Sequence, residues 1–307
     1  MEHRRLGASG LQVSAVGLGT NNFGNRLDEA QTRAVIDQAL ECGVNFIDTA
    51  DLYAGGESER LIGAILGPRR PGVLLATKFG MAKGELAFQQ GASRRWILES
   101  VEGSLRRLQT DYIDLYQVHA PDPETPILET LETLDELVSQ GKIRYYGHSN
   151  FKGWEIADAQ WTARSERLVR PVSAQHHLNL LRREAEAEVL PACRAFGLGL
   201  IAFYPLASGF LTGKYRDGTT PEGARLAGSP AATRILTPEN FQRLERLEAF
   251  AAERGHSLVE LAIGWLLSQP EVASVIAGAS RPEQVRTNVE ASTWRLSQEE
   301  MAAVAAL

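Results

Sequence analysis

The chain has 307 residues, 44% of them hydrophobic, a formal net charge of -6 and two cysteines. That length buries a sizeable core and suits either two modest domains or one α/β barrel, which commonly runs to about 250 residues. The acidic balance argues against nucleic acid or an anionic membrane surface as partner, and no run approaches the ~18 apolar residues of a membrane span. Met1-Glu2-His3-Arg4-Arg5 opens a polar segment without a signal-peptide core, and Cys42 and Cys193 both fall in predicted helices, so a reducing cytoplasm is the expected compartment.

Residues 1–15 carry two short runs around Ala8-Ser9-Gly10, which predicts a small β-hairpin before the main fold. From Ala15 onward short apolar runs alternate with helical segments. The runs near 15–20, 44–48, 73–77, 112–118, 143–148, 172–176, 198–204 and 272–277 make eight predicted strands. Helix starts have local causes. Asp28 with Gln31 forms a capping box, and Ile36, Ala39 and Leu40 follow on one face. Ser93 precedes Ile97, Val101, Leu105 and Leu108. Thr125-Pro126 and Thr237-Pro238 each read as an N-cap with proline at the first helical position. Ser257 with Glu260 makes another capping box, and Ser297 with Glu300 starts an extra C-terminal helix.

Eight strand-helix alternations predict a closed (β/α)8 TIM barrel rather than an open doubly wound sheet. Gly17-Leu18-Gly19 lacks the later glycine of a Rossmann fingerprint, and the stretch from Gly209 to Lys214 is one residue short of a P-loop. No internal repeat or linker interrupts the chain, so residues 1–307 are expected to form one domain. Residues 205–236 are rich in glycine, proline and small polar residues without helical period, which suggests a lid over the barrel mouth. His176 and His177 are adjacent on a strand and face opposite sides, so no metal site is expected. His3, His148 and His256 read as surface or capping residues, and the five tryptophans, Trp96, Trp154, Trp161, Trp265 and Trp294, mostly as barrel-to-helix packing. The charge-rich run from Arg182 to Glu186 reads as a solvated helix start, and no apolar stripe announces an oligomer interface.

Active sites of such barrels sit at the C-terminal ends of the strands. Those ends carry Asp48 with Tyr53, Lys78, His119, Ser149-Asn150, Gln175, Tyr204-Pro205 and Ser280-Arg281. Taken singly, each has an ordinary explanation: a solvated lysine, a hydrogen-bonded core histidine, a packed tyrosine. Together they bring four groups able to move or stabilise a proton to one opening. That suits protonation of a carbonyl oxygen as it becomes an alkoxide. Tyr53 would donate, Lys78 would lower its pKa, Asp48 would hold Lys78, and His119 would orient the oxygen. None of these groups carries hydride, so a reductase built on them needs a cofactor.

The order of motifs resembles the aldo-keto reductase family nearly end to end, from Arg5-Leu6-Gly7 to Asn288. The motifs are the stretch from Asn45 to Tyr53, Thr77-Lys78-Phe79, Val118-His119-Ala120-Pro121-Asp122, Gly147-His148-Ser149-Asn150, the run from Tyr204 to Gly209, and that from Gly278 to Gln284. The resemblance implies Tyr53 as acid/base in a tetrad with Asp48, Lys78 and His119. It also implies NADPH/NADP+ bound in extended form and a small-molecule carbonyl substrate. On that pattern Ser149, Asn150 and Gln175 would hold the nicotinamide carboxamide, beside Gly19, Thr20 and Asp48, with Tyr204 stacked on the ring. Pro205, Leu206, Ser208, Gly209, Leu211 and Lys214 would wrap the pyrophosphate. Gly278, Ser280 as N-cap and Arg281 would take the 2′-phosphate, and Gln284 and Asn288 the adenine. Asn21, Phe23, Tyr53, Phe79 and His119 would line the substrate pocket.

One branch of the family carries a Lys-Ser phosphate motif, a later arginine and large aromatics. This chain has Gly278, Ala279 and Gln284, and Asn21, Gly80 and Ala120, at those places. It resembles instead the bacterial general-stress-type members and the potassium-channel β subunits. Two other activities are compatible with that resemblance: oxidation of sugars or polyols, and a cofactor-binding redox sensor with little turnover.

Overall fold

The computed structural model describes residues 1–84, 86, 89–216, 219–221 and 223–307. An antiparallel hairpin pairs β1 (His3–Arg5) with β2 (Gln12–Ser14). Eight parallel strands then close a barrel: β3 (Val16–Gly19), β4 (Phe46–Asp48), β5 (Leu74–Phe79), β6 (Ile113–Val118), β7 (Ile143–Ser149), β8 (Ser173–His177), β9 (Gly199–Phe203) and β10 (Val272–Gly278). They correspond one to one with the eight predicted runs. The hairpin turns Leu6, Leu11 and Val13 into the barrel floor, where they pack with Phe46, Leu115 and Ile201. The opposite end stays open.

The helices are α1 (Glu29–Glu41), α2 (Glu57–Leu66), α3 (Arg94–Leu108), α4 (Ile127–Ser139), α5 (Gly153–Ser165), α6 (Val189–Phe196), α7 (Ala232–Ile235), α8 (Pro238–Ala252), α9 (Leu258–Leu267), α10 (Pro282–Glu290) and α11 (Gln298–Ala306). Asp28, Ser93, Thr237, Ser257 and Ser297 cap their helices as the sequence predicts. Thr125 does not. Pro126 is the residue before α4, and the Thr125 hydroxyl donates instead to Asp122 at 2.6 Å. Trp96, Trp265 and Trp294 pack in the interior, whereas Trp154 and Trp161 lie exposed on α5. His148 is buried rather than on the surface, stacked on Phe151 with 4.6 Å between ring centroids. The run from Arg182 to Glu186 ends in a single 3-10 turn before α6, with Ala185 buried.

Close approach of helices packs α2 against the end of α3. A Cβ on Gly63 of α2 would lie 2.5 Å from the Leu108 carbonyl carbon at the end of α3. Beneath this contact sits a buried carboxylate pair. Glu59 accepts from the Thr77 hydroxyl at 2.6 Å and from Arg107 at 2.7 Å. Asp51 has one oxygen 3.4 Å from Lys83 and the other buried without a hydrogen-bond partner among the described residues. Burial, reinforced by Glu59 and only partly opposed by Lys83 and Arg107, pushes the Asp51 carboxyl up to about 6.

Two outcomes follow for stability. Gly63→Ala forces α2 from α3 and lowers stability by about 1–3 kcal/mol, read as a fall in the urea midpoint. Asp51 titrates at 3.8 when unfolded and about 6 when folded, so the native state binds the extra proton between those values. Its contribution is therefore present at low pH and lost as pH rises through the folded value. Asp51→Asn cannot ionise, so relative to wild type it gains on the order of 2 kcal/mol between pH ~4 and pH ~7. Paired urea midpoints at those two pH values check this.

Candidate active site

The ends of the parallel strands surround a cavity of about 1000 Å³. Side chains alternate across each strand, and this decides which residues reach it. On β5, Lys78 points into the barrel. Its ammonium donates to Asp48 of β4 at 2.7 Å and to the Thr49 carbonyl at 2.7 Å. The other Asp48 oxygen accepts from the Gln175 amide of β8 at 2.7 Å. The ammonium is fully buried. Burial alone would push its pKa down, but Asp48 and the nearby Tyr53 outweigh this and raise it.

Tyr53 lies five residues beyond β4 in a short helical turn, with its ring centroid 5.3 Å from the Lys78 ammonium. The sequence argument expects that ammonium to lower the phenol pKa. The net direction is the reverse, because burial raises it by more than Lys78 lowers it, and the Asp48 carboxylate adds to the rise. His119 follows β6, its backbone N–H bonded to the Phe79 carbonyl at 2.8 Å and its ring 6.1 Å from that of Tyr53. Burial first, and then Lys78, lower the imidazole to about 3, so it is neutral at physiological pH. Its Nδ1 is buried without a partner among the described residues.

Gly19, Thr20, Asn21, Asp48, Tyr53, His119, Ser149, Asn150 and Gln175 line one end of the cavity. Several of their polar groups are already engaged. The Thr20 hydroxyl donates to the Asp48 carbonyl at 2.9 Å, and the Asn150 amide to the His119 carbonyl at 2.9 Å. Gln175 has its N–H on Asp48, leaving its oxygen for a ligand. Tyr204 stands at the rim, 37% exposed, its φ of 54° held by a 2.8 Å bond from Asn179 to its carbonyl.

Pro205, Leu206, Ser208, Gly209, Lys214, Gly278, Ser280, Arg281, Gln284 and Asn288 line the rest. Leu211 does not: it is fully buried in the packing beneath the lid. Ser280 is not the N-cap of α10. That place falls to Arg281 because Pro282 starts the helix, and Ser280 donates through its N–H and hydroxyl to Gln284 at 2.8 and 3.1 Å.

Two expected substrate walls are elsewhere. Phe79 follows the inward Lys78 and so faces the helix layer, stacked on Tyr116 at 4.7 Å. Phe23 is fully buried in the outer core. The carbonyl end is walled instead by Leu52 and by Met81, which is 42% exposed.

Described residues at both ends and in the middle of the segment 205–236 line the cavity, among them Lys214 and Pro221. Ala224 and Arg225 reach the cavity, and the Arg225 guanidinium lies 5.4 Å from the Tyr204 ring centroid. Residues 217, 218 and 222 of this segment, and 85, 87 and 88 of the 79–93 loop, lie outside the described residues. Arg26 and Arg225 are lining cations that the motifs do not mark. The rule that βα-loops build such sites could have found Arg26; Arg225 has no periodic signal around it.

Charge divides the cavity. Among the described residues its lining cations are Arg26, Lys214, Arg225 and Arg281, and its lining carboxylate, Asp48, is neutralised by Lys78. Burial and then Arg281 depress the Lys214 pKa, so these two cations lie near enough to repel each other. A cleft lined by these cations that also offers a tyrosine ring and a free amide oxygen fits a phosphorylated dinucleotide. Among the described residues, no cluster of His, Cys, Asp or Glu is placed to hold a metal ion.

The model of the Aldo/keto reductase family matches residues 15–307. The chain is 38% identical over 299 residues to a probable voltage-gated potassium channel subunit beta of Oryza sativa subsp. japonica, covering 95% of this chain and 91% of that one. It is 38% identical over 311 residues to the uncharacterized oxidoreductase YrpG of Bacillus subtilis (strain 168), covering 97% and 93%. Members of this family generally use nicotinamide cofactors. With likeness across nearly its whole length joined to the closed barrel described above, the chain belongs to the aldo/keto reductase family.

Proposed function

We propose that the protein is an NADPH-dependent reductase of aldehydes or ketones, with Tyr53 as general acid. The observation that carries this reading is the buried Lys78–Asp48 pair set beside a half-buried phenol and a neutral imidazole at one end of a cationic cleft. When bound, the reduced nicotinamide supplies hydride to the carbonyl carbon. The chain's own residues do the rest. His119, with its ring proton on Nε2, donates to the substrate oxygen and fixes its orientation. Tyr53 delivers its proton to that oxygen as negative charge develops there. Lys78 stabilises the phenolate left behind, and Asp48 keeps the ammonium charged in a place where water cannot. Gln175 fixes the Asp48 carboxylate and leaves its amide oxygen for the carboxamide.

The Tyr53 pKa is raised above the ordinary phenol value, so the side chain meets the substrate in its protonated form, as a general acid requires. Lys214 and Arg281 are the 2′-phosphate partners, and their mutual repulsion without an anion supports preference for NADPH over NADH. This reading takes residues 1–307 as one catalytic domain and a small-molecule carbonyl as substrate. A cytoplasmic setting goes with it, consistent with the unpaired Cys42 and Cys193.

The likeness to relatives described as potassium-channel β subunits favours a second reading, a tight cofactor binder whose oxidation state a partner senses.

Loss of reduced-nicotinamide absorbance across a panel of aldehydes separates the two. Tyr53→Phe is expected to lower kcat by about 10²–10⁴ while retaining NADPH binding. Tight NADPH binding without turnover of any carbonyl would favour the sensor instead. Because the imidazole titrates at about 3, kcat/KM shows no His119 limb between pH ~5.5 and ~7.5.

A further inference from the structure

The outer face of α5 carries two large aromatic side chains with no packing role in the barrel. Trp154 and Trp161, two helical turns apart on one stripe, are 62% and 57% exposed. Phe196 of α6 meets the Trp161 ring edge-on at 6.1 Å, and Val169, just past the helix, is 41% exposed. Asp158 and Arg164 lie on the same stripe, each three residues from Trp161 and on opposite sides of it. Both are exposed, and neither has an ion-pair partner among the described residues; Arg164 rests 5.2 Å from the Trp161 ring centroid. Contiguous exposed aromatic surface of this kind marks an interaction site.

We propose that this face is a homodimer interface and that its occupant is a second copy of this chain, packed antiparallel about a twofold axis through Trp161. The charge order selects that occupant. A twofold axis makes an interface in which the same stripe meets itself. With Trp161 on the axis, Asp158 lies opposite the partner's Arg164, and Arg164 opposite the partner's Asp158, so two ion pairs form across one contact. Trp154 is then directed to the segment just past the partner's helix, where Leu168 and Val169 supply an apolar surface. A parallel arrangement would instead set the two Asp158 carboxylates against each other. Each tryptophan offers roughly 150–250 Å², less in sum than the roughly 800 Å² per partner of a standard interface. With Phe196 added, the dimer is expected to form in the micromolar range.

The test is sedimentation equilibrium between ~1 and ~100 μM, a range that brackets micromolar affinity. Wild type dimerises. Asp158→Arg alone and Arg164→Asp alone each weaken the dimer at least tenfold by placing like charges across the axis, and Trp161→Glu abolishes it. The double swap, Asp158→Arg with Arg164→Asp, restores wild-type association. All three substituted positions lie on an exposed face away from the cavity, so unchanged circular dichroism and thermal midpoint verify the fold of the four variants. A wild-type monomer at every concentration overturns the proposal. So does an assembly whose dissociation constant the single swaps leave unchanged, or failure of the double swap to recover. Those last two results would assign the patch to an unlike partner or the assembly to another surface.

Discussion

The buried contact between Lys78 and Asp48 is the constraint that the rest of the site answers to. An ammonium with no exposure to solvent costs several kcal/mol to desolvate. It persists because Asp48 and the Thr49 carbonyl both meet it at 2.7 Å. Such a pair is weak evidence of net stability, since removing either member strands the other charge. What it supplies is position. Asp48 is fixed in turn by Gln175, from a strand that is not its neighbour in the sheet. The ion pair therefore depends on closure of the barrel as well as on adjacent strands. The same ammonium that sits beside Tyr53 also helps keep His119 neutral. One buried charge thus bears on the protonation of both Tyr53 and His119.

Around this fixed centre the backbone departs from regular geometry. Among the described residues, Ala54, Asn150, Tyr204, Ala207 and Ser208 take left-handed φ values without being glycine. All belong to loops at the C-terminal mouth, and each costs of order 1–3 kcal/mol. The scaffold holds them by specific bonds: the Asn150 N–H to the Gln175 carbonyl at 3.0 Å, and Asn179 to the Tyr204 carbonyl at 2.8 Å. The buried Lys78–Asp48 pair thus sits on regular strands, while strained loops form much of the cavity rim.

Much of this was legible in the sequence because it is periodic or local. Eight apolar runs and five side-chain caps are one-dimensional signals, and each survives in the fold. The failures share a cause, which is that direction is not written in spacing. Phe79 sits in a site motif yet faces outward because its neighbour Lys78 faces inward. Phe23 and Leu211 stand beside cavity residues, but their loops turn them into the core. Thr125 and Ser280 carry good capping chemistry, yet each donates its hydroxyl elsewhere, to Asp122 and to Gln284, and the helix starts one residue later than expected. Trp154 and Trp161 fit an amphipathic helix until the neighbouring helices are placed and no element covers them. The sign of the Tyr53 shift was missed for a related reason. The ammonium is visible as a residue type, but the depth of burial that outweighs it is a property of the assembled barrel.

Charge at the far end of the cleft links the lid to whatever lies beneath it. Lys214 belongs to the long segment over the mouth and Arg281 to the start of α10, so the two cations come from different elements. Burial, and after it the Arg281 charge, depresses the Lys214 pKa, so each cation disfavours the other's approach. A phosphate placed between them would convert repulsion into two attractions, and Arg225, resting against Tyr204, is a third cation from the same segment. The Lys78–Asp48 centre needs no such partner, because its charges already cancel. The charges set within the barrel are thus balanced in place, whereas the cations of the 205–236 segment and of α10 meet no lining carboxylate of their own among the described residues.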